Sequence, residues 1–403
     1  MTESIDDFTL AKGFEAAAVA CGLKKDGALD LALVFSPAPC AAAGVFTTNR
    51  IKAAPVLHDQ RVLAHNAGNI RAVVANSGCA NACTGPGGLA AAARVAELAA
   101  AAVGCAPEQV LVLSTGVIGR PLDVARVAEG LSRIRSSSAQ AGASAAARAI
   151  LTTDTRPKTV AVEVWIGGAP ITFRGFAKGA GMIHPGLATM LAVVTTDARV
   201  APHRLKAALS EAAGRSFNRL SVDGDMSTND TVLLLASGSS GNAIADEHGT
   251  AFVSALTEAC VSLTRQIARD GEGATRLVEI TVCAARDECE AHRVADSIAR
   301  SPLVKTAIHG GDPNWGRILA AAGTSDAPID PDCLTLSLGP LSDPLVLVSG
   351  GLPVGYHERA ASDRLKLDPV VIRLDLGLGA AEATVWTCDL SAEYVAINAH
   401  YTT

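Results

Sequence analysis

The residues with the most chemical potential in this sequence stand in short polar blocks rather than in a standard catalytic signature. There is no HExxH, GxxxxGK[ST] or GxSxG run, so the usual cues for a zincin, a P-loop nucleotide site and a nucleophile elbow are missing. Ser114-Thr115-Gly116 follows the apolar Leu111-Val112-Leu113. A strand that breaks into such a glycine turn can aim a backbone N–H and a Thr hydroxyl at a developing oxyanion; a turn capped by Ser or Thr accounts for the same residues without function. Three more blocks, TTDTRPK at 152–158, DGEGATR at 270–276 and GGDPNWGR at 310–317, interrupt apolar text, and turn chemistry explains their Gly, Pro and Asp. Turns do not require Lys178, Glu272 and Asn398. If those three converge, the lysine attracts a carboxylate, the glutamate pairs with an ammonium and the asparagine serves either group, which describes an amino-acid site. Apart, they are solvated polar residues.

Metal and dinucleotide chemistry find little support. The nine His residues are dispersed, and Cys79 and Cys83 have no second paired-Cys element. Gly377-Leu-Gly-Ala-Ala-Glu superficially suggests a dinucleotide loop, but it lacks the full fingerprint and reads as a hairpin or turn.

The elements that must position these residues alternate between strand and helix. The segment LALVFSPAPCAAAGVFTT from about residue 30 reads as two strands with a Pro-containing connection, 72–78 as another strand, 89–103 as a helix and 111–119 as a strand entering a Gly-bounded turn. An Ala-rich helix is expected within 136–149. VAVEVWI and ITFRGFA alternate like antiparallel strands around Gly167-Gly168, and 187–197 is apolar enough for a central strand. Helices are expected at 204–214, 249–269 and 289–300, a strand at 275–284, and short strands beyond 325 before a polar tail. No repeat or linker marks a boundary, so an intertwined α/β (α+β) protein is the expected class.

At 403 residues the chain can bury a large core without disulfides or metal. Hydrophobic residues make up 49%, charged residues 18%, and the net charge is −6, so no basic tract recommends nucleic acid. Ten scattered Cys and an acidic N-terminus lacking a secretory pattern point to a reducing cytoplasm, and the apolar runs are broken by charge, so no membrane association is expected.

Taken in order, NSGCANACTG (76–85), STGVIG (114–119), TTDTRPK (152–158), KGAGMIHPGLATML (178–191), DGEGATR (270–276), GGDPNWGR (310–317) and YVAINAHYTT (394–403) resemble the ArgJ family of arginine biosynthesis, the glutamate N-acetyltransferases also called ornithine acetyltransferases. The resemblance runs from about residue 10 to the last residue. It implies a self-processing fold related to the DmpA/ornithine acetyltransferase group, neither Rossmann nor α/β-hydrolase. It also implies autocleavage between Ala188 and Thr189, giving chains 1–188 and 189–403 with Thr189 as the nucleophile. Thr115 and Gly116 would form the oxyanion hole, and Thr152, Lys178, Thr189, Glu272, Asn398 and Thr403 would surround the substrate. Periodicity alone would make Thr189 a buried strand residue and would leave Asn398 and Thr403 in a mobile tail.

The implied reaction is ping-pong acetyl transfer from N2-acetyl-L-ornithine to L-glutamate. No cofactor and no metal are expected; acetyl-CoA enters as a co-substrate if the enzyme is bifunctional, which the resemblance favours. An α2β2 heterotetramer of cleaved protomers is expected. The competing readings are a monofunctional ornithine acetyltransferase, a self-processing aminopeptidase or amidohydrolase that gives the acyl group to water, a noncatalytic metabolite-binding module, and a homologue that never processes.

Overall fold

The computed structural model describes residues 7–136, 140–184 and 190–400. Ala188, Thr189 and Thr403 lie outside the described residues.

Nine strands form the first sheet: β1 (Glu15–Val19), β2 (Leu31–Phe46), β3 (Ile70–Asn76), β4 (Val110–Ser114), β5 (Gln140–Ala141), β6 (Lys158–Ile166), β7 (Ala169–Lys178), β8 (Leu191–Thr196) and β9 (Thr231–Ala236). Their order is β4-β3-β2-β9-β8-β7-β6, with β1 on β2 and β5 on β1. The β3/β4 and β8/β9 pairs are parallel, and the remaining pairs are antiparallel. Strands β8 (LAVVTT) and β9 (TVLLLA) are buried throughout, because both sheet faces are covered and neither strand can alternate polar with apolar residues. The helices Pro202–Gly214 and Gly249–Arg269 contribute Leu205, Leu209, Leu256 and Leu263 to the core on one face. Against the other face lies the short helix Ala143–Ala149, whose alanines allow close approach.

The second sheet has order β13-β12-β11-β14-β10-β15, where β10 is Leu277–Ala285, β11 Thr335–Leu338, β12 Leu345–Ser349, β13 Leu352–Pro353, β14 Val370–Asp375 and β15 Ala381–Cys388. Only β10 and β14 run parallel. The helices Glu288–Arg300 and Trp315–Gly323 share its core. Two mixed sheets dominated by antiparallel pairs are the expected α+β arrangement and not the doubly wound parallel sheet of a dinucleotide-binding fold.

Four local expectations need adjustment. The segment from Leu31 is one strand of 16 residues rather than two: residues 31–35 and Cys40 pair with β3, residues 41–46 pair with β9, and the register shifts between Phe35 and Cys40. Pro37 and Pro39, which cannot donate to a ladder, sit exposed at that irregularity. The turn at Gly377 joins β14 to β15, but these are not a hairpin, because β10 lies between them. Within 136–149 the helix covers only Ala143–Ala149, preceded by the short β5. The polar tail forms a helix, Ala392–His400.

Among the described residues one helix, Gly85–Val103, is long and apolar enough by length and composition to cross a membrane. One of its faces, including Ala92, Val95, Ala96 and Ala99, is buried in a core shared with β3 and β4. The Ala188–Thr189 bond lies between β7 and β8, which pair from Lys178↔Leu191 to Phe173↔Thr196. Chains 1–188 and 189–403 would therefore share the first sheet.

Candidate active site

Sheet register brings distant sequence together at one edge. Ser114 ends β4, Lys178 ends β7 opposite Leu191, and Leu191 pairs with Thr231 at the start of β9. A cavity at these strand ends is bordered by Thr115, Gly116, Thr152, Lys178, Glu272 and Asn398, together with Ala80, Ile118, Thr153, Gly181, Met182, Ser227 and Asn229. Every expected site residue that the structure describes therefore lies on this one cavity.

The wall carrying Thr115 is rigid. Asn76 accepts from Ser114 Oγ at 2.6 Å and donates to the Cys79 carbonyl at 2.9 Å; Asn229 Nδ2 donates to the carbonyls of Ala80 (2.6 Å) and Ser114 (2.9 Å). The Thr115 amide is already engaged by the Asn76 carbonyl at 3.0 Å, so a donor from residue 115 must be its hydroxyl. Lys178 Nζ donates to Thr115 Oγ1 at 3.1 Å, which orients the hydroxyl proton away from the lysine. Gly116 has φ +126°, and a Cβ there would lie 2.5 Å from the Gly78 carbonyl carbon and 2.6 Å from the Cys79 nitrogen. Only glycine fits this turn.

Glu272 and Asn398 form the opposite wall. The Glu272 amide donates to the Ala180 carbonyl at 2.8 Å, and Asn398 Nδ2 donates to Glu272 Oε2 at 2.8 Å. Gly181 makes room for that carboxylate, since a Cβ there would stand 2.4 Å from Glu272 Cδ. The helix Ala392–His400 is held through Ser391 Oγ to the Gly273 carbonyl (2.7 Å) and Tyr394 Oη to Asp223 (3.3 Å). Asp223 in turn accepts from the Met182 and Ile183 amides at 2.6 and 2.8 Å. The helix Ala392–His400 thus borders the cavity through Asn398.

A buried charge triad beneath the cavity joins both walls. Lys158, fully buried, lies 2.5 Å from Asp154 and 2.5 Å from Asp270. Asp154 also accepts from the Gly179 amide at 2.6 Å and the Thr152 amide at 3.0 Å, while Asp270 accepts from the Thr155 amide at 3.0 Å. Burial pushes the Asp154 carboxyl up, but the Lys158 and Lys178 ammoniums, the Lys158 hydrogen bond and the Gly179 amide outweigh it and hold the group at about 2. Burial depresses Lys178 below the ordinary lysine range, opposed by the charges of Asp154, Asp230 and Glu272. Sequence reasoning missed this triad. Its members lie inside two of the quoted polar blocks, but nothing local indicates that residues 112 apart in sequence meet.

A larger groove of about 660 Å³ runs beside β2 and the helices Ala54–Asn66 and Pro202–Gly214. Half of its lining residues are Ala, Val, Leu or Phe, His203 and Lys206 are among the rest, and none of the expected site residues that the structure describes borders it. Size alone does not select the functional cavity. Among the described residues no group of three or more His, Cys, Asp or Glu is placed to hold a metal ion.

The chain matches the ArgJ family over residues 15–403. It is 48% identical over 415 residues to the arginine biosynthesis bifunctional protein ArgJ of Dehalococcoides mccartyi, covering the whole of both chains. To the protein of the same name from Symbiobacterium thermophilum it is 48% identical over 400 residues, 98% of each chain. A solved chain of ornithine acetyltransferase from Mycobacterium tuberculosis, complexed with ornithine, is 44% identical with a TM-score of 0.39, over 43% of this chain and 92% of that one. With near-complete coverage at this identity, the chain belongs to the ArgJ family.

Proposed function

We propose that this protein transfers an acetyl group from N2-acetyl-L-ornithine to L-glutamate in arginine biosynthesis, through an acetyl ester on Thr189. The observation that carries this reading is the single cavity in which the Lys178–Thr115 donor pair faces the Glu272–Asn398 pair, at the strand ends flanking the Thr189 segment. One wall suits acyl chemistry and the other suits an amino acid with a charged side chain.

Maturation begins with attack of Thr189 Oγ on the Ala188 carbonyl. The peptide C–N bond breaks, the nitrogen keeps its hydrogen and gains the hydroxyl proton, and water then hydrolyses the ester to an Ala188 carboxylate and a free Thr189 hydroxyl. The product carries an α-amine, a base titrating near 7.7 to 8.0 when unperturbed, beside its own nucleophile. In turnover Oγ attacks the acetyl carbonyl of acetylornithine while its proton passes to that amine. The Thr115 hydroxyl and the Gly116 amide stabilise the oxyanion, and the proton leaves on the ornithine nitrogen as the C–N bond breaks. The glutamate amine attacks the acetyl ester in the reverse sense and leaves as N-acetylglutamate.

The two amino acids share an α-amino-acid head but differ in side-chain charge. Lys178 and the Asn398/Thr403 region serve the carboxylate end, and Glu272 serves the amine. Acetyl-CoA is a second donor in this reading, entering the same acetyl-enzyme without a further cofactor. The cleaved chains assemble as α2β2 in the cytoplasm, a setting consistent with ten free cysteines.

Following acetyl transfer from acetylornithine with and without glutamate tests the reaction. N-acetylglutamate should form at the rate at which ornithine is released. If acetate forms at that rate with glutamate saturating, the protein is a hydrolase. Thr189→Ala should remain one uncleaved chain with no turnover, and Thr189→Ser should cleave partially and turn over more slowly.

A further inference from the structure

The stretch Lys178-Gly-Ala-Gly-Met-Ile runs along the cavity wall, and one left-handed position in it falls on a methionine: Met182 has φ +57°. A bulky side chain adopts that region rarely and at a cost, whereas glycine adopts it freely. The conformation is held from outside. Asp223 Oδ2 accepts from the Met182 amide at 2.6 Å, Asp223 Oδ1 accepts from the Ile183 amide at 2.8 Å, and the Val222 amide donates to the Ile183 carbonyl at 2.8 Å. Tyr394 Oη donates to the same carboxylate at 3.3 Å, which ties this backbone to the helix that carries Asn398.

Packing in the protein interior does not account for the side chain. Met182 is half-buried and belongs to none of the apolar clusters that the described residues form. Among the described residues that line the cavity, only Ile118 and Met182 carry a wholly apolar side chain larger than a methyl group. Ile118 packs against the cluster of Ala53, Val56, Ala80 and Ala82. Met182 instead follows Gly181, whose missing side chain makes room for the Glu272 carboxylate. The strained methionine therefore presents apolar surface beside the carboxylate on the amino-acid side of the cavity.

Lys178, Glu272 and Asn398 address charges, and charge is what changes between the two amino acids. Beyond the α-amino-acid head, ornithine and glutamate share only a short run of methylenes. An unbranched thioether chain suits such a partner, because its torsions adjust to chains of different length and it carries no charge that would favour one substrate.

We propose that Met182 is a specificity-determining residue of the amino-acid site: its side chain packs on the methylenes common to ornithine and glutamate, so one apolar contact serves both half-reactions. This rests on the acetyl-transfer reading above. Asp223 acts through Met182, fixing the backbone conformation that aims the methionine.

The full-length enzyme and its Met182→Gln, Met182→Leu and Met182→Gly variants test this, with maturation checked by intact mass and kcat/KM measured separately for acetylornithine and for glutamate. Glutamine has nearly the length of methionine and suffers the same φ, so a purely structural role would leave it close to wild type. Instead kcat/KM should fall about tenfold for both substrates, with kcat at saturation within about threefold. Met182→Leu keeps an apolar contact at the same φ and should stay within about threefold of wild type for both. Met182→Gly relieves the backbone and removes the contact; it should lose about as much kcat/KM as the glutamine variant and unfold at no lower urea concentration than wild type. A glutamine variant with wild-type kcat/KM, a loss confined to one substrate, or a leucine variant as impaired as the glutamine one overturns the proposal. If Met182→Gln does not fold, wild-type kcat/KM in Met182→Gly overturns it instead. Any of these results leaves the Thr189 reading intact, whereas wild-type enzyme that acquires no acetyl group on Thr189 fails the underlying reading.

Discussion

Thr115, Gly116 and Lys178 stand at the ends of strands in the first sheet, among buried neighbours, whereas Glu272 stands on a loop leading into β10 and Asn398 on an exposed terminal helix. The first wall is fixed by bonds between main chain and buried amides. Its counterpart is held by a few contacts, chiefly Asn398 to Glu272, Ser391 to Gly273 and Tyr394 to Asp223. The oxyanion has one geometry in both half-reactions and rewards rigidity. A site for an ammonium in one half-reaction and a carboxylate in the other gains from an adjustable pair. The buried Asp154–Lys158–Asp270 triad ties the two walls together, since Asp154 orients Thr152 and Gly179 while Asp270 precedes Glu272 by two residues.

The triad offers the largest break in this comparison. Lys158→Met leaves two buried carboxylates without their cation and should lower stability by about 3–5 kcal/mol, read by urea unfolding. Next, Gly116→Ala forces a Cβ against the Gly78–Cys79 backbone and shifts the wall proposed to hold the oxyanion. Acylation should slow by roughly 100-fold, seen as slower pre-steady-state release of ornithine, with amino-acid affinity changing far less.

A smaller effect should appear with pH. Asp154 is depressed from 3.8 to about 2 in the folded protein, so its contribution to stability is fully present above about pH 4 and is lost as pH falls toward 2. The loss is about 2 kcal/mol, and it should be absent from Asp154→Asn in acid unfolding followed by circular dichroism. Smallest is Asn398→Ala. It removes one partner of Glu272 on the adjustable wall, so KM should rise roughly fivefold, with kcat within about threefold of wild type.

Much of the local architecture was legible because period and turn chemistry agree with the fold. The β6/β7 hairpin turns at Gly167-Gly168, and the helices Pro202–Gly214, Gly249–Arg269 and Glu288–Arg300 fall where apolar spacing puts them. Pairing over long separations was not legible. Local pattern could not reveal that β10 sits between β14 and β15, or that Pro37 and Pro39 interrupt a register without ending a strand. The site shows the same division. Thr115 and Gly116 announce a strand-end turn by themselves, whereas Lys178, Glu272 and Asn398 could be grouped only on the condition that they converge and Thr152 joined them through family resemblance; all four border one cavity. Neither route indicated Asn229 or Lys158, whose roles depend on partners 112 to 149 residues away.

The central claim is that Thr189 stores the acetyl group. Denaturing intact-mass analysis after incubation with acetylornithine, without glutamate, tests it most directly, with a parallel sample given acetyl-CoA alone. Two chains should be found, 1–188 and 189–403, with one acetyl group on the second chain at Thr189, lost as N-acetylglutamate when glutamate is added. The same adduct from acetyl-CoA establishes the second donor, and its absence there confines the enzyme to acetylornithine. A single intact chain that transfers acetyl groups, or two chains that turn over without an acetyl group on Thr189, would contradict the account.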